Sequence, residues 1–556
     1  MNHTHRFKPR LLASVIAACA VAGASSYSIA QEDTIEEVIV TGVKGAQEKA
    51  ISIKRNTSEV VDSIAAEDIG KLPDSTIADS LQRVTGIQIQ RSAGQGGIVS
   101  IRGSNEILTT LNGELFLTAQ NILNSNADYQ DIPSSLIAGV NVSKSSNARQ
   151  LEGGIGGSVD LLTRRSLDLD GGLTNVVRLQ ASQGSITEET DPEISGLIGF
   201  NADTYAMSLA YAYADQTLSA NQTQTRAGVQ NRGDALMMMS WDGPVSTNFV
   251  TERERLGLNY NFNAQLSDSL ELNIDSFYNS MDEKQAGNMF QFDLDSVGWD
   301  YGRMQPQGVN SAGDVPIAQG NYATGWTANM NSALRAGVSS NFRETSALNN
   351  SFELKFDGGG DFTGSVRYIN SKATRENDAL TLVQRPSSPG PDGLFDDEGY
   401  VYNLNGDTRQ VNPGYIAGNH TTTFMAHDDG VSWEFDPAFA QAMGQSSAWY
   451  IHSSWLEGEH HEATLDVLRA DFNYHFADEG LTSVDFGVRD GTRSIERRAF
   501  HYFMPTGITA YDPTDMQAYD MLVKYHEAGY VYGTGQANDG TSGTYRSKPP
   551  VAVWLS

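Results

Sequence analysis

Cysteine is almost absent. Cys19 is the one thiol in 556 residues, so neither a disulfide framework nor a zinc-thiolate site can be built. After the N-terminal segment no stretch offers roughly 18 uninterrupted apolar residues, which excludes insertion into a bilayer by helices. Basic residues are in deficit, 38 Lys and Arg against 68 Asp and Glu, and the resulting net charge of -30 disfavours a nucleic-acid partner. Cation binding or plain solubility fits that balance better. With 54 glycines, 16 prolines and 39% hydrophobic residues the chain is neither collagen-like nor disordered.

What is present begins with an export signal. Arg6, Lys8 and Arg10 precede the apolar run Leu11 to Ala24 and the small-residue site Ser28-Ile29-Ala30, so residues 1–30 read as a secretory leader cleaved before Gln31. Cleavage there leaves a thiol-free chain suited to an oxidising compartment. Ile16-Ala17-Ala18-Cys19 offers the alternative of a lipoprotein site. Residues 31–45 then hold Glu36-Glu37-Val38-Ile39-Val40-Thr41-Gly42, a short run of β-branched residues in a tether. Such a run is either an ordinary strand or one that adds itself to the sheet edge of another protein.

Residues 46–168 read as a small α/β domain. Val60-Val61-Asp62-Ser63-Ile64 is a strand signal, and Leu72-Pro73-Asp74-Ser75-Thr76 opens a helix with Asp74 or Ser75 as N-cap and Ile77, Leu81 and Val84 as its apolar face. Thr85-Gly86 stops it. Ile87 to Gln90 and Val99 to Arg102 alternate as half-buried strands, a second short helix starts near Pro133-Ser134, and a strand runs from Val140 to Ser143. Gly153-Gly154-Ile155-Gly156-Gly157-Ser158 lacks the Lys-Ser/Thr ending and the helix of a phosphate loop; its glycines serve turns and close packing before the strand Val159 to Thr163.

Residues 169–556 change to a period of two. Leu256, Leu258, Tyr260, Phe262, Ala264 and Leu266 alternate with Gly257, Asn259, Asn261, Asn263 and Gln265, and a return strand carries Leu270, Leu272 and Ile274. The hairpin recurs at Phe352 to Phe356 with Phe362 to Tyr368, and at Phe472 to Phe476 with Val484 to Val488. A soluble antiparallel sandwich also alternates. Here, however, short turns alternate with long segments near 216–250, 282–342 and 376–460, as in a transmembrane barrel with short periplasmic turns and long extracellular loops.

Taken together, the leader, the Val-Ile-Val-Thr-Gly box, the α/β domain and the hairpins resemble a TonB-dependent outer-membrane receptor. The likeness is most specific over residues 35–165, where Val61 to Ile64, Asp79 to Ile87, Ile101-Arg102-Gly103 and Gly153 to Asp160 resemble the family's plug motifs in the family's order. Ala66 to Asp74 is similar to a carbohydrate-uptake subfamily. The resemblance implies a mainly β fold, an α/β plug inside an antiparallel transmembrane barrel, in the bacterial cell outer membrane. It implies a TonB box at Glu37, Val38, Ile39, Val40 and Thr41, plug motif positions at Arg102, Gly103, Gly153, Gly154, Gly156 and Gly157, the TonB C-terminal domain and outer-membrane lipid as partners, and no cofactor. About nine strands are read between 172 and 496, where such a barrel needs about 22. The expectation is an N-terminal portion that cannot transport alone, since open edges are not viable in lipid.

The resemblance implies active uptake of a scarce solute, an oligosaccharide or alternatively a ferric siderophore; a passive channel and a soluble binding module are the readings of other classes. Trp433, Trp449 and Trp455 fall in segments expected outside the cell, where indole faces could stack on sugar rings or sit in an interfacial girdle. Asp392 to Gly399 lacks the spacing of a calcium loop, and His452, Glu457, Glu459, His460 and His461 lack that of a zinc hydrolase. Neither a metal site nor catalysis is expected.

Overall fold

The computed structural model describes residues 54–55, 60–65, 76–146, 148, 150–202, 204–232, 235–292, 304–311, 321–329, 334–386, 400–402, 408–410, 421–427, 430–435, 437, 449–476 and 482–509. The box at 37–41 and the acidic segment 392–398 lie outside them.

The N-terminal domain is built on a five-stranded sheet and a hairpin. In chain order its elements are β1 (Val61–Ala65), α1 (Ile77–Leu81), β2 (Ile87–Ser92), β3 (Gln95–Ile101), β4 (Ile107–Leu111), β5 (Glu114–Leu115), β6 (Ile137–Ser143) and β7 (Gly157–Thr163), with single 3-10 turns at Tyr129–Asp131, Ser134–Leu136 and Ser166–Asp168. The sheet runs β1-β6-β7-β4-β5, with β4 and β7 parallel, and β2 pairs with β3. Ile77, Leu81, Ile101, Ile107, Val140, Val159 and Leu161 close the core beneath α1.

Helix α1 starts later than expected. Its N-cap is Thr76 rather than Asp74 or Ser75: Thr76 is extended, its hydroxyl accepts from the Asp79 N–H at 3.3 Å and donates to the Asp79 carboxylate at 2.9 Å. The threonine hydroxyl satisfies one orphan first-turn donor and is itself held by the acid three residues on, and that local fit outweighs the two upstream candidates. Ile77 and Leu81 are buried as the periodicity requires, and Gly86 at φ +81° carries the chain out of the turn. The second expected helix is only the 3-10 turn at Ser134.

Around this domain curves one antiparallel sheet of nine strands: β8 (Gly172–Gln183), β9 (Thr190–Asn201), β10 (Tyr205–Arg232), β11 (Ala235–Ser267), β12 (Leu270–Phe292), β15 (Leu334–Asp357), β16 (Phe362–Pro386), β21 (Trp449–His475) and β22 (Ser483–Thr509). Between them lie a small sheet of β13 (Met304–Ser311), β14 (Asn321–Asn329), β19 (Thr421–His427) and β20 (Gly430–Phe435), and the pair β17 (Tyr400–Tyr402) and β18 (Thr408–Gln410).

The segment 216–250, expected as a loop, is instead the far half of a continuous hairpin in which β10 and β11 pair from Tyr205↔Ala264 to Arg232↔Ala235. Strands β12, β15, β16 and β21 likewise run on through parts of the other two expected loops. At about 3.3 Å per residue the 25 residues of β16 span roughly 80 Å, far more than the 9–11 residues that cross a bilayer.

Polarity and burial are inverted along these strands. On β11 the side chains turned toward the N-terminal domain are Asn259, Asn261 and Asn263, all buried, whereas Tyr260 on the other face is 41% exposed. The same holds for Phe352, Leu354, Val366, Tyr368 and Leu468, exposed on the outer face, against Glu353, Asn349 and Ser371 inside. A sheet packed for water would place these residues the other way round. Beside the short turns the outer aromatics form a row, with ring centroids 6.3 Å apart for Phe356 and Phe362, 5.6 Å for Phe362 and Phe472, and 5.5 Å for Phe472 and Phe486.

Candidate functional site: the inner wall and the domain it encloses

Polar side chains of the wall grip the enclosed domain along one line. Arg255 donates to the Gln130 carbonyl at 3.0 Å, Arg367 to that of Asn112 at 2.7 Å, Arg375 to that of Gln120 at 3.2 Å and Arg493 to that of Ile122 at 2.6 Å. Asn349 closes a two-way bridge with Leu117, accepting from its N–H at 2.9 Å and donating to its carbonyl at 3.1 Å. The irregular segment 112–130 leaves backbone groups unpaired by sheet or helix, and buried groups of that kind require partners; the wall supplies them. One ion pair joins the set: Glu114, wholly buried, faces Arg489 at 2.9 Å and Arg469 at 3.5 Å. Between these polar contacts, Leu117, Ala119 and Ile122 pack on Ala347, Ile369, Ala373, Ala463, Leu465 and Val467.

Toward the short turns the wall holds the end of the domain. The Ser166 hydroxyl donates to Asn263 at 2.9 Å, its N–H donates to Asn261 at 2.8 Å, and the Thr163 hydroxyl donates to Asp275 at 3.0 Å. Asn261 and Asn263 thus accept from the enclosed domain while donating to Asn273 of the wall, and Asn259 donates to Asp275, so the polar face of β11 is buried with its groups partnered.

Further from the turns the inner face becomes charged. Arg253 is clamped between Glu283, 2.9 Å from Nε, and Gln95, 2.6 Å from Nη1. Strand register sets Arg375 directly opposite His461 and His461 directly opposite Arg497. Glu459 accepts from Arg497 at 2.6 Å.

Within the enclosed domain, burial holds the Asp131 carboxyl up to about 7, with the neighbouring Asp128 charge adding to the rise; Asp128 is itself raised by burial. A raised carboxyl binds its proton more tightly folded than unfolded. The stability this contributes is complete below about pH 4, drains away as pH climbs toward 7 and is flat above it. Asp131→Asn is expected to flatten thermal stability between pH 4 and 7, by a few kcal/mol at most. Melting curves of both proteins at pH 4.5 and 7.5 check this.

The residues singled out from the sequence divide. Arg102 and Gly103 form a turn at φ +52° and +81°, in which the Arg102 N–H donates to the Gly86 carbonyl at 2.8 Å. Gly153, Gly154, Gly156 and Gly157 carry the chain into β7, the strand expected in place of a phosphate-binding helix. These are positions of architecture, away from the charged wall. Trp433 lies on β20 and Trp449 begins β21; Trp455 lies on the inner face of β21 in phase with Glu459 and His461. The histidine cluster is split by the pleat: His460 points outward to Asp378 at 3.0 Å, while His461 points inward. Among the described residues no three His, Cys, Asp or Glu side chains converge on a common point.

The wall arginines were missed by the sequence reading, and His461 was weighed there only as one of a cluster of metal-type residues. Their signal was available, since Arg253 and Arg255 continue the inner-face parity of Asn259 to Asn263.

Residues 53–158 match the family model described as the TonB-dependent Receptor Plug Domain. The search of curated proteins returned no match. Solved structures with a similar course include the siderophore receptor PiuA from Acinetobacter baumannii (13% identity, TM-score 0.33, covering 81% of this chain and 63% of that one). Others are the ferric citrate transporter FecA in its unliganded form (12%, TM-score 0.28, 81% and 75%) and BauA, the ferric preacinetobactin receptor from Acinetobacter baumannii (10%, TM-score 0.31, 79% and 61%). The chain thus spans less than two thirds of the length of PiuA.

Proposed function

We propose that the chain works in the bacterial outer membrane as a TonB-dependent receptor that takes up a scarce solute, with residues 53–158 as the plug and the nine-stranded sheet as part of the barrel wall. The observation that carries this reading is the inverted wall, apolar where nothing covers it and polar where it meets the plug. Only a sheet whose outer solvent is hydrocarbon gains from that arrangement. The row of aromatics beside the short turns is the girdle expected at the periplasmic interface. Strands β8 and β22 have one partner each among the described residues, so the working barrel is completed by further strands on those edges.

A plugged lumen passes nothing unaided, and the grip on segment 112–130 has to be loosened by work. Glu37 to Thr41 would pair with the sheet edge of the TonB C-terminal domain and transmit that work. Replacing Val38 with proline removes a backbone donor from the box. In cells lacking the receptor, grown on a panel of sugars and iron sources, the complete wild-type protein is expected to restore growth on at least one source. Val38→Pro, present in the membrane at equal level, is expected to restore none; full restoration would remove energy coupling through this segment.

The solute we favour is an oligosaccharide. Trp455 supports it by lying on the inner face, where an indole meets solute rather than lipid. The Trp433→Ala, Trp455→Ala double variant is expected to lose at least about 10-fold in oligosaccharide affinity, since a stacked ring contributes on the order of 1 kcal/mol or more. Unchanged affinity in a binding titration would take these residues out of the site.

A further inference from the structure

The inner wall carries positive charge that the enclosed domain uses only in part, in a chain whose overall charge is -30. Arg375, His461 and Arg497 occupy directly opposed positions on three neighbouring strands, β16, β21 and β22, all turned inward. Two arginines flanking a histidine across adjacent strands is a costly arrangement whenever the ring is protonated, because like charges in opposed positions repel. The available counter-charges are mostly committed. Glu283 already holds Arg253 and stands 3.2 Å from Arg343, and Glu459 is held by Arg497.

A second observation points to a missing partner at the same place. The His461 side chain has no solvent exposure and neither ring nitrogen has a hydrogen-bond partner, Glu459 standing 3.5 Å from Nε2 without forming one. The Nε of Arg375, also buried, is likewise unpartnered, although its Nη1 reaches Gln120. Buried donors of this kind cost stability unless something accepts from them.

We infer that Arg375, His461 and Arg497 form a binding site for an oxyanion, a carboxylate or phosphate group of the transported solute. This rests on the receptor reading above and narrows its substrate to an anionic one. Guanidinium groups present paired donors to such groups. Trp455, on the same face of β21, places an aromatic surface further from the plug, which suits an acidic sugar; a polycarboxylate metal chelate would use the same arginines without it.

The test is calorimetric titration of the complete receptor in detergent, where neither the motor nor the proton gradient matters, so its outcome is independent of Val38→Pro. The probes are trigalacturonate, citrate, pyrophosphate and neutral maltotriose. At least one anionic probe is expected to bind, more weakly as salt rises, and maltotriose to bind at least about 10-fold less tightly. Trigalacturonate alone would identify an acidic sugar, citrate a polycarboxylate chelate and pyrophosphate a phosphorylated solute. Arg375→Gln and Arg497→Gln are each expected to lower that affinity by at least about 10-fold. Lys372→Gln, which removes the same charge from the outer face of β16 where Lys372 pairs with Glu462, is expected to leave it unchanged. Equal weakening by Lys372→Gln, binding of maltotriose as tightly as the anions, or no binding of any anionic probe would overturn the assignment.

Discussion

Replacing Gly157 with alanine is expected to unfold the plug domain inside an otherwise intact wall. Gly157 sits at φ +136°, where an L side chain is strained, and a Cβ built on it would lie 2.5 Å from the Ser143 carbonyl and 3.1 Å from Ile101. The carbonyl cannot yield, and the Ile101 methyl has to give by a few tenths of an ångström. The Ser143 carbonyl belongs to β6, paired with β7 at this point of the sheet, and Ile101 lies in the core. A forbidden backbone conformation and an overlap with a fixed carbonyl each cost on the order of 1–3 kcal/mol, so a loss of about 2–6 kcal/mol is expected. Limited proteolysis of the complete receptor in detergent reads it: rapid cleavage within residues 60–165 for the variant, protection for the wild type. The neighbouring Gly153→Ala, with only Leu108 near at 3.8 Å, carries the φ penalty without the clash and is expected to fall between the two.

Glu114→Ala should detach the plug from the wall by the opposite route, leaving charge behind rather than adding bulk. Glu114 is wholly buried, while its partners Arg489 and Arg469 are only partly covered and belong to different strands. Removing the acid leaves Arg489 facing Arg469, which keeps only Asp471 at 2.6 Å as counter-charge, beside the Gly113 carbonyl that Arg469 also reaches at 3.3 Å. Breaking a buried pair from one side costs about 3–5 kcal/mol, and the partial exposure of both arginines places this case at the lower end. The measurable result is earlier release of the plug in a denaturant titration while the strands remain folded. A Glu114→Gln variant, keeping shape and one acceptor, should recover part of the loss; if both variants match the wild type, the contact does not hold the plug.

Both predictions depend on features that were unequally visible in the sequence. The glycine run before β7 announced turns and close packing, because nothing else tolerates that density of glycine ahead of an alternating strand. The alternation from Leu256 to Leu266 announced a two-faced strand, and its polar face proved to be the buried one. The far halves of the same hairpins were not legible, since β10 and β11 continue their ladder through a sequence with no sustained alternation of apolar and polar residues to mark it. Helix α1 was placed correctly but started too early, because Asp74, Ser75 and Thr76 are all acceptable caps and only the reciprocal bonds with Asp79 choose among them. Glu114 and the wall arginines that hold segment 112–130 could not be paired from sequence, since their partners are some 125 to 375 residues away along the chain.

The account stands on the outer face of the nine strands lying in hydrocarbon. The one natural cysteine, Cys19, falls in the expected leader, so single cysteines can be introduced into the mature protein without interference. Spin labels placed in turn at Leu258, Tyr260, Asn259 and Asn261 of the complete receptor, in outer-membrane vesicles, should report alternating environments. Labels at Leu258 and Tyr260 should collide readily with dissolved oxygen and poorly with a water-soluble nickel chelate, while those at Asn259 and Asn261 should be shielded from both by the plug. Ready access of the nickel chelate to Leu258 and Tyr260 would mean that this face is wet, and would contradict a membrane-embedded barrel.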